Sequence, residues 1–266
     1  MNYPRIIQQV FHEPALLTAS AHQSIQASLL SHLEGGRAFD ARHDGEQTKK
    51  EKGAPYSIVR GNIALVNVHG VIARRLSLVD AGCGFYDQTH IALAVKAAVD
   101  DPRVEKVIID FDSPGGTVTG TYETGRMLRA LGKQKLIYGY TEGISASASY
   151  WLMSQCASIF CAPSATLGSI GVYMAWMKDA ADIEMVKAGK FKAMGIMPLT
   201  EEERQILQES VNRTHELFKT EVRDMRPDID DSTMEGLCYE GRDCVELGLA
   251  DALVLNFDEM LDLLSE

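Results

Sequence analysis

The chain has 266 residues, 45% of them hydrophobic, and a formal net charge of −11. That is enough apolar material for one large domain or two small ones with a real core. The charge argues against nucleic acid or an anionic membrane as the main partner, because phosphates bind clustered Lys and Arg, and no run of about 18 apolar residues offers a membrane span.

The opening, Met1 to Leu17, is broken by Pro4, Gln8, Gln9, His12, Glu13 and Pro14. It lacks the basic-then-apolar order of a signal peptide, so a cytoplasmic location is expected. Cys83, Cys156, Cys161, Cys238 and Cys244 form no Cys-x-x-Cys pair, and the histidines show no metal-ligand spacing. Neither a disulfide framework nor a metal or other cofactor is expected.

Residues 1 to 33 read as mildly helical and amphipathic, and Glu34 to Pro55 is polar and rich in Gly and Lys. Residues 1–55 are therefore expected to form an N-terminal arm and polar linker, with the folded domain over 56–266. Ile63 to His69 is a β-rich run ending at Gly70, and Arg74 to Phe85 reads as a loop. Asp87 can cap a helix from Gln88 to Val99, with Ile91, Ala94, Val95 and Ala98 on one face. Val104 to Phe111 is the next strand; its continuous Val107-Ile108-Ile109 suits a strand covered on both faces. A turn at Asp112-Ser-Pro-Gly-Gly116 leads to a helix from Val118 to Leu131. Strands follow at Leu136–Tyr140 and Ser158–Cys161. Helices are expected at Met177–Lys187, at Glu201–Arg226 behind a Thr200/Glu203 capping box, and at Arg242–Leu247. A strand at Leu249–Leu255 and a helix at Asp258–Leu263 close the chain. Alternating strands and helices describe an α/β domain with crossover connections.

Two turns could carry chemistry. The first is Asp112–Gly116, at the carboxyl end of a strand, where sites of α/β sheets collect and where adjacent glycines leave N–H groups free to hold an oxyanion. Alone, it is an ordinary Pro-Gly turn. The second, Gly143-Ile-Ser-Ala-Ser-Ala-Ser-Tyr-Trp151, crowds small residues before a large apolar block, as a tight strand-to-helix turn requires. Ser147 is the candidate nucleophile, although the residues alone leave Ser145 and Ser149 open, since each is equally a helix cap. No histidine is poised as its base; His69 is the best placed and reads as structural. Lys192 sits among small and apolar residues, with Lys187 and Lys190 as rivals. A desolvated lysine can lose its proton near neutral pH.

These blocks, in this order, resemble the signal-peptide-peptidase-A (protease IV) family of serine peptidases, and within it the phage head-maturation proteases. Beyond the two turns, the resemblance is carried by Leu167-Gly-Ser-Ile-Gly-Val172, by Gly189-Lys-Phe-Lys192 and by the closing Tyr239–Asp251. His12-Glu-Pro14 adds to it. The resemblance implies a crotonase/Clp-protease-like fold, a β-β-α spiral with mixed sheets, often assembled into rings. It selects Ser147 and Lys192 as a dyad, Gly115, Gly116 and Ala148 as the oxyanion hole, and Ser169 as orienting Lys192. It also implies a homo-oligomer and, as substrates, scaffold and capsid proteins of an immature phage head in the host cytoplasm. Ala148 and Ser149 depart from the paired glycines that cellular members carry after the serine, and a Cβ there narrows the backbone's freedom. Two rivals share the fold: a crotonase-type acyl-CoA enzyme, which would use acidic residues, and a non-catalytic assembly protein.

Overall fold

The computed structural model describes residues 14–25, 54–74, 85–175, 188, 190–191, 194 and 198–265. Two short strands, β1 (Ala15–Leu17) and β2 (Ser57–Val59), come first. A repeating unit follows: a long strand, a short strand, then a helix. The first unit is β3 (Ile63–His69), β4 (Val71–Ala73) and α1 (Gln88–Asp100), with β5 (Phe85–Asp87) inserted before the helix. The second is β6 (Lys106–Asp112), β7 (Gly115–Thr117) and α2 (Thr121–Gly132). The third is β8 (Ile137–Thr141), β9 (Ile144–Ala146) and α3 (Ala148–Met153). A fourth pair, β10 (Ser158–Cys161) and β11 (Thr166–Gly168), leads towards the long α4 (Glu201–Arg223). The chain ends in β12 (Cys238–Glu240), α5 (Gly241–Cys244), β13 (Ala252–Leu253) and α6 (Phe257–Ser265).

The long strands join one six-stranded sheet of order β13-β10-β8-β6-β3-β2. β3, β6, β8 and β10 run parallel within it, and β2 is antiparallel to β3. The short strands leave that sheet and build two others, β1-β7-β4-β5 and β12-β11-β9. This is a β-β-α spiral with mixed sheets, the fold class expected from the sequence. The kinks that separate each long strand from its short one fall at Gly70, at Ser113-Pro114 and at Glu142-Gly143, residues that break a ladder.

The continuous apolar run of β6 is explained by its cover. Val107, Ile108 and Ile109 are all fully buried. Val107 and Ile109 face a core with Ile91, Val95 and Leu128 of α1 and α2, while Ile108 faces Met260 and Leu261 of α6. Neighbouring residues of a strand point to opposite faces, so both faces need a helix. Each such side chain contributes about 1.5–3 kcal/mol by leaving water.

Local capping holds as the sequence predicts. Asp87 accepts from the Thr89 N–H at 2.8 Å, and Thr200 and Glu203 form the reciprocal capping box at the start of α4. Several expectations need correction: α2 begins at Thr121 rather than Val118, and α5 ends at Cys244 rather than Leu247. Residues 15–17 form a strand, not a helix: Pro14 cannot sit inside one, and β7 offers an open edge. The last regular turn of α4 ends at Arg223, three residues early. Leu249 and Ala250 are not in a strand, because their N–H groups fold back onto the Cys244 carbonyl at 2.8 and 3.0 Å. The helix expected at Met177–Lys187 lies outside the described residues. Among the described residues no helix is long and apolar enough to cross a membrane, and no group of three or more His, Cys, Asp or Glu could hold a metal ion.

Candidate active site

Ser147 is the single residue between β9 and α3, and its backbone sits at φ 55°, ψ −116°. A side chain there costs of order 1–3 kcal/mol and persists only where the surroundings over-determine it. Here they do. Its N–H donates to the Gly168 carbonyl at 2.8 Å, and its carbonyl accepts from the Trp151 N–H at 2.9 Å. The six residues of α3 are all buried. Trp151 stacks on Phe218 of α4 with centroids 4.5 Å apart and planes within 9°. The Tyr150 hydroxyl donates to the Leu249 carbonyl at 3.0 Å. The aromatic pair after Ser147 therefore clamps the turn to two distant elements.

The three serines of the turn are not equivalent. Ser145 and Ser149 are fully buried, and their hydroxyls bond each other at 2.9 Å. Ser147, 1% exposed, makes no side-chain cap bond to the helix that it begins.

The glycine loop lies against this turn. Ser113 N–H donates to the Ile144 carbonyl at 2.7 Å, and Ala146 N–H to the Ser113 carbonyl at 3.1 Å. Gly115 has φ +107°, and a Cβ added to it would lie 3.0 Å from Ser147 Cβ and overlap the Leu16 carbonyl oxygen. A Cβ on Gly116 would overlap the Ile72 carbonyl. Both positions therefore need glycine for close approach. The Gly115 N–H donates to the Ser113 hydroxyl at 3.2 Å, and Gly116 stands opposite Leu16 in the pairing of β7 with β1. Ala148 opens a helix, where the first N–H groups have no partner within the helix. Ser113 was passed over in the sequence; its place inside Ser-Pro-Gly-Gly was the available signal.

The Gly168-Ser-Ile-Gly block forms the opposite wall. β11 runs parallel to β9 with Gly168 opposite Ala146, so the carbonyl that fixes Ser147 comes from the Gly-Ser-Ile-Gly block. Ser169 has φ 51°, and its N–H donates to the Leu237 carbonyl at 2.6 Å. A side-chain hydrogen bond from Ser169 partly offsets the upward push that burial gives the Cys238 thiol.

Lys192, Lys187 and Gly189 lie outside the described residues, as do His12 and Glu13. Lys190 is an exposed ion pair with Glu202, at 2.5 Å. The described histidines are engaged elsewhere or exposed. His69 Nε2 meets Asp110 at 2.8 Å, and that carboxylate, more than burial opposes, holds the imidazole's pKa up. His215 Nε2 lies 3.0 and 2.8 Å from the Ile170 and Met234 carbonyls. His90 is exposed on α1. The arrangement offers a buried serine on a strained backbone, at the start of a helix and against a glycine loop, a setting that acyl transfer can use.

The chain is 28% identical over 279 residues to the head-tail preconnector protein GP5 of Enterobacteria phage P21, covering 95% of this chain and 55% of the relative. It is 24% identical over 286 residues to the capsid assembly protease C of Escherichia phage lambda, covering 97% of this chain and 64% of that one. It thus spans less than two thirds of the length of either relative. A ClpP1 mutant from Listeria monocytogenes matches with a TM-score of 0.46 and 14% identity, over 74% of this chain and 94% of its own. Residues 129–265, from within α2 through the serine turn to the end of α6, match Peptidase family S49, a family of serine peptidases, and the chain belongs to it.

Proposed function

We propose that the protein is a serine endopeptidase acting through a Ser147–Lys192 dyad. Neutral Lys192 accepts the Ser147 hydroxyl proton as Oγ attacks the scissile carbonyl. The N–H groups of Gly116 and Ala148 hold the oxyanion, with Gly115 keeping the loop close. The C–N bond breaks as Lys192 returns its proton to the leaving amine, giving the acyl-enzyme. Water, deprotonated by Lys192, then attacks the ester and releases the acid and free Ser147. Ser169, on the wall beside Ser147, orients the lysine. The observation that carries this reading is the backbone of Ser147, held against its own preference beside two obligatory glycines.

For substrates we propose scaffold and capsid proteins of a phage head, in keeping with a lambda relative that is a capsid assembly protease. The enzyme would work in the host cytoplasm or the immature head, as a homo-oligomer. Co-expression with candidate head proteins, read by mass spectrometry, tests it. The wild type is expected to cut them, and Ser147→Ala and Lys192→Met each to lower the rate by at least about 10³-fold. Cutting that survives either substitution rejects the dyad. An active species that sizes as a monomer at every concentration rejects the oligomer.

A further inference from the structure

β7 lies against Ser147 and has a strand edge along which an extended peptide could pair, with its carbonyl at the glycine loop. The chain itself occupies that place. β1 runs antiparallel to β7, with Leu16 opposite Gly116 and Leu17 opposite Gly115, and the Thr18 N–H donates to the Pro114 carbonyl at 3.1 Å. On its other side Ala15 exchanges both backbone hydrogen bonds with Tyr173, at 2.7 and 3.2 Å, just beyond the Gly168–Val172 block. One short segment thus bonds to both walls of the channel. The Leu16 carbonyl oxygen and Ser147 Cβ both crowd the single bare position on Gly115. Leu16 is fully buried. Ala15 and Leu17 cluster with Ile25, Phe85 and Tyr173, and the Tyr173 hydroxyl bonds His22 Nδ1 at 2.7 Å.

We propose that Pro14–Thr18 is a built-in pseudosubstrate. The channel between β7 and Tyr173 is a binding site for an extended apolar peptide. Leu16 sets its carbonyl against Gly115 beside Ser147, with its side chain in the main apolar cluster, and another protein's chain enters only after β1 leaves. The inference rests on the reading of Ser147 as the nucleophile. Its physical basis is exclusion: a strand edge offers one set of donors and acceptors, and β1 already uses it. Because β1 is tethered, its local concentration is on the order of millimolar, so a free peptide of equal affinity competes poorly. Yet β1 is only three residues long, so few bonds hold it in place.

The test uses the full chain carrying Ser147→Ala and a fluorescein-labelled peptide of residues 12–20. Binding is read by anisotropy with and without Ala15→Pro, which removes the N–H given to Tyr173 without emptying the core. The expected result is binding about fivefold tighter with Ala15→Pro, the worth of one hydrogen bond. The same peptide with aspartate at the Leu16 position should fail to bind. With Ser147 intact, Ala15→Pro should cut a peptide substrate faster by a similar factor. If Ala15→Pro does not fold by circular dichroism, Leu16→Ala takes its place. Unchanged peptide affinity in the folded variant, or equal binding of the aspartate peptide, overturns the proposal. A cut between Leu16 and Leu17 in the wild type, missing in Ser147→Ala, supports it by placing β1 in register with the nucleophile. Peptide binding to Ser147→Ala needs no catalysis. Residual activity in that variant would therefore reject the dyad while the binding result still judges the channel.

Discussion

Arg60 and Ser147 share an unusual backbone, with φ of 49° and 55°, in opposite surroundings. Arg60 sits in the exposed turn between β2 and β3, followed by Gly61 at φ 85°, and its guanidinium reaches Asp262 at 2.9 Å. Consecutive positive φ values are what a tight hairpin asks for, so the conformation there is set by the turn. Ser147 is buried, and it is fixed by Gly168, Trp151 and the glycine loop rather than by any hairpin. The same dihedral is turn chemistry in one place and stored strain in the other. The difference teaches that a positive φ points to function only where distant parts of the fold hold it.

Four substitutions break or sharpen that contrast. Gly115→Ala has the largest expected effect. It adds a Cβ at a position with φ +107° and against Ser147 and Leu16. A loss of about 3 kcal/mol or more in urea unfolding is expected, with activity falling at least about 100-fold in whatever folds. Ser147→Gly removes the proposed nucleophile and the strain together, so activity is lost, while the relieved strain less the freedom that glycine adds to the unfolded chain raises stability by about 1 kcal/mol. A drop in stability would show that Ser147 is not strained. Arg60→Gly relieves the turn but gives up a surface ion pair and frees the unfolded chain, so its change should stay within about 0.5 kcal/mol of zero. His69→Gln is the smallest. The folded protein holds the His69 proton more tightly than the unfolded chain does. That contribution is complete below the ordinary value of 6.5 and is lost as pH rises through the raised folded value. The pair is half exposed, so the pH-dependent part is below about 1 kcal/mol. Unfolding curves of the variant should be flatter than the wild type across that window.

Elements with local causes could be read from the chain. The caps at Asp87 and Thr200 and the apolar run of β6 need only their neighbours. β7, β9 and β11 could not be read in the same way. They are three residues each, and Gly115–Thr117 and Thr166–Gly168 contain the glycines that normally signal turns. They become strands because partners far away in sequence supply their hydrogen bonds. β1 was missed for the same reason, as its partner β7 lies about a hundred residues on. At the serine turn, composition could mark the place but could not separate Ser145, Ser147 and Ser149. That distinction depends on a 2.9 Å bond between two hydroxyls and on one backbone angle, neither of which a residue type encodes. The Gly-Ser-Ile-Gly block was legible as a motif, yet its grip on the Ser147 N–H came only with the fold.

The pairing of β11 with β12 sets the order in which the protein can be finished during synthesis. The carbonyl that pins Ser147 belongs to Gly168, whose strand pairs with Cys238–Glu240. A nascent chain that has not yet emerged past that closing stretch leaves β11 with a bare flank, and the serine without its full scaffold. The seat is thus complete only once Cys238–Glu240 has emerged from the ribosome, and any product truncated before Cys238 exposes a raw edge inviting aggregation.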